Sequence, residues 1–467
     1  MHKAILTLVL FSTYTFATLN TTVPSVGSVG SDLKITIYND NRAFVSEKRQ
    51  VIIPTGKQNI VYEGVPSSVI TQSVIPTFTG VDTSLYSQNY IYNLISLSSM
   101  LKNSIDKKVN FYINGINPRY SKGILLSSSP VMIKEDGTGN IHTLEKATQV
   151  IFDKVPEEMI TKPSLVWNID ALSSGNLKID LKYLTTGISW KSDYVLGLGK
   201  NTFDLTGWIT VDNQSGVVYE KAEITCLAGE VNKVRREHVT LDMVMYKAKN
   251  TKRMSSPGVK EESFSGYHIY KIPFRETIKN KEQKQISFLN KGGIEYSQYG
   301  VASNHSFGDY GERKLIFKNT IAFKNTRKNK LGLALPEGTV RMYKKDKSGN
   351  THFIGEQRIN NIPEDENVTL SIGTLFDVVG EKVVTKFRVK DHYRFVETTY
   401  NIRNQGKEER VLKIKEVLPV SGESVIIKST CSGKCTEKRI NAFTREFSVI
   451  LRGKEKYIFT SEFESHF

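Results

Sequence analysis

Three groups of side chains in this sequence carry chemistry of their own. Trp190, Asp193 and Tyr194 place two aromatic rings and a carboxylate within one short run. Such a set can stack on the apolar face of a sugar while the carboxylate accepts its hydroxyl hydrogens. The competing role is structural: tryptophan is usually highly buried, so Trp190 plugs a core and Asp193 caps a turn. Residue type favours the structural role. Tyr296, Tyr299, Phe307 and Tyr310 stand among Gly, Ser and Asn, the composition of an adaptable binding loop. The same mixture describes any surface loop, which is the commoner case. Cys431 and Cys435 lie four residues apart around Gly433 in a turn-like stretch. In an oxidising compartment two such thiols pair as a local disulfide. Free thiols are one alternative. A metal site is another, but it needs further ligands, and the nearest histidines in sequence are His392 and His466. No metal or cofactor is expected.

The motifs that announce catalysis are missing. There is no His-Glu-x-x-His, Cys-x-x-Cys, Gly-x-Ser-x-Gly or phosphate-binding Gly-x-x-x-x-Gly-Lys. Gly197-Leu198-Gly199 lacks the third glycine of a dinucleotide loop and reads as a turn. Ser104-Ile105-Asp106-Lys107 fits Ser-x-x-Lys, a match expected by chance in so Ser- and Lys-rich a chain. The acidic turn Glu135 to Asn140 lacks the spaced ligand set of a calcium loop and reads as a hairpin tip. The basic stretch Arg313, Lys314, Lys318, Lys324, Arg327, Lys328, Lys330 suits an anionic envelope polymer, or simply a solvated hairpin.

These residues must be positioned by strands. Alternation of apolar and polar residues marks Leu33–Ile37, Ala43–Ile53 and Gln58–Tyr62, and later Leu205–Val211, Ala222–Ala228, Val368–Ile372 and Val396–Ile402. One polar face per strand points to antiparallel sandwiches. Tyr90 to Ile105 breaks the pattern, because Ile91, Leu94, Ile95, Leu101 and Ile105 follow helical spacing. A small β-barrel-like insert is expected over 109–152. The polar stretch 231–266 reads as a linker between an N-terminal β region, 32–230, and a C-terminal β-sandwich, 267–467. Cys226 lies on an alternating run and is expected to be buried. The fold class expected is therefore all-β: two antiparallel sandwich-like regions, a short helix and a small insert.

The 467 residues suit two or three domains. The formal net charge is +16, a sign that draws a chain to polyanions or merely keeps its surface solvated. Met1-His2-Lys3, the apolar run Ala4 to Phe11 and Thr15-Phe16-Ala17 have the layout of a secretory signal peptide, 1–17, cleaved after Ala17. Export to the periplasm or cell surface follows. Nucleic acid is then a poor partner. No later apolar run is long enough to span a bilayer as a helix. Tyr457, Phe459, Phe463 and Phe467 share one face of the last segment, as in a barrel-closing strand. Ser461 and Ser465 on that same face favour a soluble sandwich.

Several stretches in one order resemble a known family: Tyr183 to Tyr194, Leu205-Thr206-Gly207-Trp208, Asn213-Gln214-Ser215-Gly216 and Leu227 to Asn232. Leu335 to Arg341, Phe353-Ile354-Gly355-Glu356, Ile372-Gly373 and Phe376-Asp377 continue it. The chain is similar to the bacterial envelope proteins of domain-of-unknown-function family 4139, distantly related to mucoidy-inhibitor proteins. The resemblance implies export and an all-β body but no activity. The long coiled coil of the mucoidy-inhibitor branch has no counterpart here. The function expected is a non-catalytic module binding an envelope protein or glycan. The alternative is a hydrolase of envelope polymer, which requires converging catalytic side chains near Asp193 or Asp391-His392-Tyr393.

Overall fold

Period-two alternation becomes strand after strand in the computed structural model, which describes residues 25–26, 31–114, 118–156, 159–229, 260–264, 267–305, 311–418 and 423–466. The strand Gly175–Thr186 shows the rule. Leu177, Ile179, Leu181, Tyr183 and Thr185 are buried, and the residues between them are not. The chain divides into two compact units. One holds the described residues up to Lys34, then Phe44–Thr186 and Ser215–Ala222. The other holds Ile35–Ala43, Gly187–Gln214 and the described residues from Glu223 onward. The expected signal peptide lies outside the described residues. So does the expected linker 231–266, apart from the strand Lys260–Phe264.

In the first unit, Gly56–Glu63 and Thr83–Ile91 flank Ser164–Ala171 in antiparallel register. Its helix is shorter than the helical spacing predicts. It runs only from Leu97 to Asn103, opened by Ser96, whose side chain accepts the Ser99 N–H at 3.1 Å. Tyr90 and Ile91 belong instead to the Thr83–Ile91 strand, opposite Leu165 and Ser164. A waiting sheet partner and their strand-favouring side chains outweigh the local helical pattern. The insert is a five-stranded sheet ordered Ile141–Leu144, Val131–Glu135, Arg119–Ser128, Lys108–Ile113, Val150–Ile151. It is open rather than a closed barrel. Phe111, Leu125, Ile133 and helical Leu101 form its core. The acidic turn is used internally: the Glu135 carboxylate accepts from Arg119 at 2.7 Å and Thr138 at 2.8 Å, and also meets Ser121 and His142. These partners hold its carboxyl far below the usual range.

The second unit contains three sheets that matter for function. The first is ordered Glu282–Glu295, Thr202–Asn213, Ile188–Leu198, Gly338–Lys345, Thr351–Ile359. Its inner face puts Tyr194, Leu196, Leu198, Phe203, Leu205, Val340 and Met342 against Ile321, Phe323, Val368 and Leu370 of the second sheet. The second sheet, ordered Asn367–Thr374, Lys318–Lys324, Ser297–His305, Arg410–Val417, Thr444–Leu451, Cys435–Asn441, and the third, ordered Gly311–Leu315, Val378–Lys390, Tyr393–Asn404, Lys456–His466, Glu423–Ser429, form a sandwich. Ala302, Leu412, Ile414, Phe447 and Val449 from one meet Tyr400, Ile402 and Phe459 from the other. The last strand, Lys456–His466, buries Phe459, Ser461, Phe463 and Ser465 and pairs with Tyr393–Asn404. That is the sandwich expectation for this strand, with a hydroxyl bond rather than lipid under Ser461: its Oγ donates to Glu416 at 2.7 Å. Phe467 lies outside the described residues. No helix among them is long and apolar enough to cross a membrane.

Candidate functional site

The Trp190-Asp193-Tyr194 set is internal. The Trp190 ring is buried against Tyr270, centroids 5.8 Å apart, and its Nε1–H donates to the Leu227 carbonyl at 3.1 Å. Tyr194 is buried, and its hydroxyl donates to the Pro336 carbonyl at 2.7 Å. Burial pushes its pKa well up. Ser192 Oγ donates to the same carbonyl at 3.1 Å, so these residues fasten the Leu335-to-Gly338 turn. Neither ring offers a face to a sugar. Asp193 points to the other side of the strand. Its Oδ1 meets Arg341 at 3.1 Å and its Oδ2 accepts from Thr210 at 2.9 Å. Arg341 also meets Glu356 at 3.3 Å. Residues distant in sequence thus form one carboxylate–guanidinium–carboxylate row across the outer face of the first sheet.

Beyond this row the outer face opens into a groove of about 1400 Å³. Strand alternation sets its floor. Because Tyr194, Leu196, Leu198 and Met342 point into the core, Val195, Gly197 and Tyr343 point out. Gly197 and Tyr343 are direct partners in the parallel pairing of Ile188–Leu198 with Gly338–Lys345. Tyr343 makes a T-shaped contact with Phe353 on the next strand, centroids 5.7 Å apart, and Phe353 is 55% exposed. Tyr299 and Arg410 line the opposite wall. The Lys413 ammonium sits 4.3 Å over the Tyr299 ring. Polar groups complete the lining: Asn201, Gln298, Asn319, Lys200, Lys344 and Lys345.

Gly197 needs a reason to be glycine. A glycine inside a strand weakens it and marks a bulge, a bend or a close approach by another backbone or a ligand. Elsewhere in this sheet the reason is packing: a Cβ on Gly338 would meet the Ser192 carbonyl oxygen at 2.2 Å, and one on Gly207 would meet Phe288 at 2.8 Å. At Gly197 nothing lies within 4 Å of where a Cβ would stand, and its φ is not positive. The fold does not require glycine there, and the space above it is open. Gly197-Leu198-Gly199 is expected from sequence to form a turn. Instead Gly197 and Leu198 end a strand, and only Gly199 enters the turn, its N–H donating to Thr202 O at 2.8 Å.

The remaining candidates scatter. Tyr296 is half-buried against Phe203, and its hydroxyl donates to the Gly199 carbonyl at 3.0 Å, behind the groove's end. Burial raises its pKa. Phe307 and Tyr310 lie outside the described residues. The basic stretch from Arg313 to Lys330 is exposed on two strands and the turn after them. Asp391 and His392 form the turn between Val378–Lys390 and Tyr393–Asn404, where Asp391 has φ 53°. Tyr393 bonds Glu464. Cys431 and Cys435 have Cα atoms 5.1 Å apart and sulfurs at bonding distance, while Cys226 is buried, as its alternating strand implies. Among the described residues no group of three or more His, Cys, Asp or Glu could hold a metal. On the floor, Tyr343 is not marked by the sequence, and Gly197 stands out only as part of a Gly-x-Gly pair.

A scan against models of protein families finds no match, and a search of curated proteins finds no significant relative.

Proposed function

We propose that this chain is an exported, non-catalytic module of the cell envelope that binds a glycan in the groove floored by Gly197. The observation that carries the proposal is the unfilled space over Gly197, set beside half-buried Tyr343 and its exposed partner Phe353. A bare strand backbone next to an aromatic edge suits the flat face of a sugar ring, and the Asn and Gln side chains of the lining suit its hydroxyls. The volume exceeds the roughly 300–1,000 Å³ of pockets for single small molecules, which suits several linked sugars. Export to the periplasm or cell surface is part of the proposal. Its supports are the apolar start of the sequence and a cysteine pair at disulfide distance, which fits an oxidising compartment. An envelope protein remains the other partner class the sequence suggests, but an aromatic beside a bare glycine with amide side chains around it favours a glycan.

A hydrolase of envelope polymer is the second reading, favoured by the convergence of Asp193 and Glu356 on Arg341. Both carboxylates are held by one guanidinium, and Asp193 is also held by Thr210, which is how a face is braced rather than how an acid and a nucleophile are set apart. The test is a glycan array probed with the purified chain and with Gly197→Trp. A Cβ at 197 meets nothing within 4 Å, so the indole is expected to project into the groove, and circular dichroism checks that the variant is folded. Loss of every array signal in the variant is expected. An unchanged binding profile would end the groove proposal.

A further inference from the structure

We propose that Lys382 and Asn304 become joined by an amide bond, Lys382 Nζ to Asn304 Cγ, which pins the two sheets of the C-terminal sandwich to each other. This bond is independent of the groove and its ligand. Strand alternation calls for apolar residues at four positions here that are polar instead. Asn304 and Glu416 are direct partners in the parallel pairing of Ser297–His305 with Arg410–Val417, in the second sheet. Lys382 and Tyr400 are direct partners in the antiparallel pairing of Val378–Lys390 with Tyr393–Asn404, in the third. All four are buried, with exposures of 1%, 0%, 8% and 0% in that order. The two pairs meet across the sandwich. Lys382 Nζ donates to Asn304 Oδ1. Asn304 Nδ2 donates to the Tyr400 hydroxyl at 2.7 Å, and that hydroxyl donates to Glu416 Oε1 at 2.7 Å. Ser461 Oγ holds the other Glu416 oxygen at 2.7 Å.

An ammonium and a carboxylate are costly inside a core, so a lysine placed there needs a reason. Passing the ammonium proton to the Glu416 carboxylate leaves a free amine and a neutral acid, the uncharged forms that burial favours. Burial raises the Glu416 pKa, which works in the same direction. The amine is already held against the amide, so its attack on Cγ is an intramolecular step. The Nζ–Cγ bond forms. Glu416 returns its proton through the Tyr400 hydroxyl to Nδ2, the Cγ–Nδ2 bond breaks, and ammonia leaves. The surplus proton on Nζ goes out with it as ammonium. One lysine ammonium and one primary amide thus become one secondary amide and one ammonium ion, with no oxidant or co-reactant. Phe459 stacks on Tyr400 with centroids 4.8 Å apart and Phe447 packs beside them, an apolar wall that shields the amide carbon from competing attack by water.

The experiment is mass spectrometry of the purified full chain, reduced and unfolded, beside Lys382→Met and Glu416→Gln. The unaltered chain is expected to be lighter by one ammonia than the sequence between its measured ends. Its tryptic digest should contain a branched species that joins the peptide with Asn304 to the peptide with Lys382, uncut after Lys382. Lys382→Met should have the full mass of its sequence and no branched peptide. Glu416→Gln keeps the side chain's shape and an oxygen for Tyr400 but cannot carry the proton. With circular dichroism confirming its fold, it should have full mass and be cut after Lys382. Full mass in the unaltered chain, with Asn304 and Lys382 on separate linear peptides, would overturn the proposal. So would an ammonia deficit that persists in Lys382→Met, because closure of Asn304 onto its own backbone loses the same mass without a lysine. A link formed as completely in Glu416→Gln as in the unaltered chain would overturn the proton transfer assigned to Glu416 and leave the bond standing.

Discussion

Gly197 faces Tyr343 across a parallel strand pair, and nothing in the protein occupies the space where the Gly197 side chain would be. If a sugar ring lies on that glycine, the edge of Tyr343 is its first aromatic contact. Tyr343→Ala should then cost about 1 kcal/mol of glycan binding, roughly fivefold in affinity. Thermal stability should change little, because the ring is only half-buried. An affinity equal to that of the unaltered chain, measured by calorimetry, would remove Tyr343 from the site.

Asp193 is a bracing residue rather than a ligand contact. Replacing it by Ala strands the Thr210 hydroxyl and one arm of Arg341, and should destabilise the chain by about 2 kcal/mol in urea denaturation. Asp193→Asn keeps the Thr210 bond and should bind glycan within twofold of the parent. If the chain instead hydrolyses an envelope polymer, Asp193→Asn or Glu356→Gln abolishes release of reducing ends while binding persists, which is the outcome that would favour the enzyme.

The core of the C-terminal sandwich holds a pH-sensitive carboxyl. Glu416 is buried, accepting from Tyr400 and Ser461 at 2.7 Å each, and Asn304 in turn donates to the Tyr400 hydroxyl at 2.7 Å. Burial raises the Glu416 pKa above its ordinary 4.5. A carboxyl raised on folding binds more protons in the native state, so its contribution is complete below the unfolded value and declines as pH climbs through the folded one. The stability of the unaltered chain relative to Glu416→Gln should therefore fall as pH rises above about 4.5. Urea titrations at several pH values measure the difference, and a gap that is flat or widens in favour of the parent would contradict it.

The cysteine pair closes a very short loop, so its effect on the unfolded chain is small. Replacing both Cys431 and Cys435 by Ala should cost about 2 kcal/mol. In unfolded, unreduced protein, thiol labelling should find Cys226 alone. Three reactive thiols in freshly purified, unreduced protein would show the pair to be reduced.

How much of this was legible in the residues differs by length scale. Alternation in Leu205–Val211 or Val396–Ile402 is local, and the strands Thr202–Asn213 and Tyr393–Asn404 fall where it predicts. The helix was misjudged at its start because Tyr90 and Ile91 answer to Leu165 and Ser164, some seventy residues away in sequence. The aromatic–carboxylate cluster was visible as a cluster, but alternation sends Trp190 and Tyr194 to the core and Asp193 to the outer face. The groove was invisible for the same reason. Gly197 and Tyr343 become neighbours only through long-range strand pairing, Tyr299 reaches the groove from the second sheet, and a single strand glycine does not announce which neighbour it lacks.

The central claim is that a glycan occupies the groove over Gly197, and hydrogen-exchange mass spectrometry tests it most directly. The intact chain is measured with and without the tightest-binding oligosaccharide from the array. Slowed exchange confined to peptides covering residues 195–201, 298–300 and 343–353 is the expected result. Protection located in the five-stranded insert or the Tyr393–His466 sandwich strands, with none in those peptides, would contradict it.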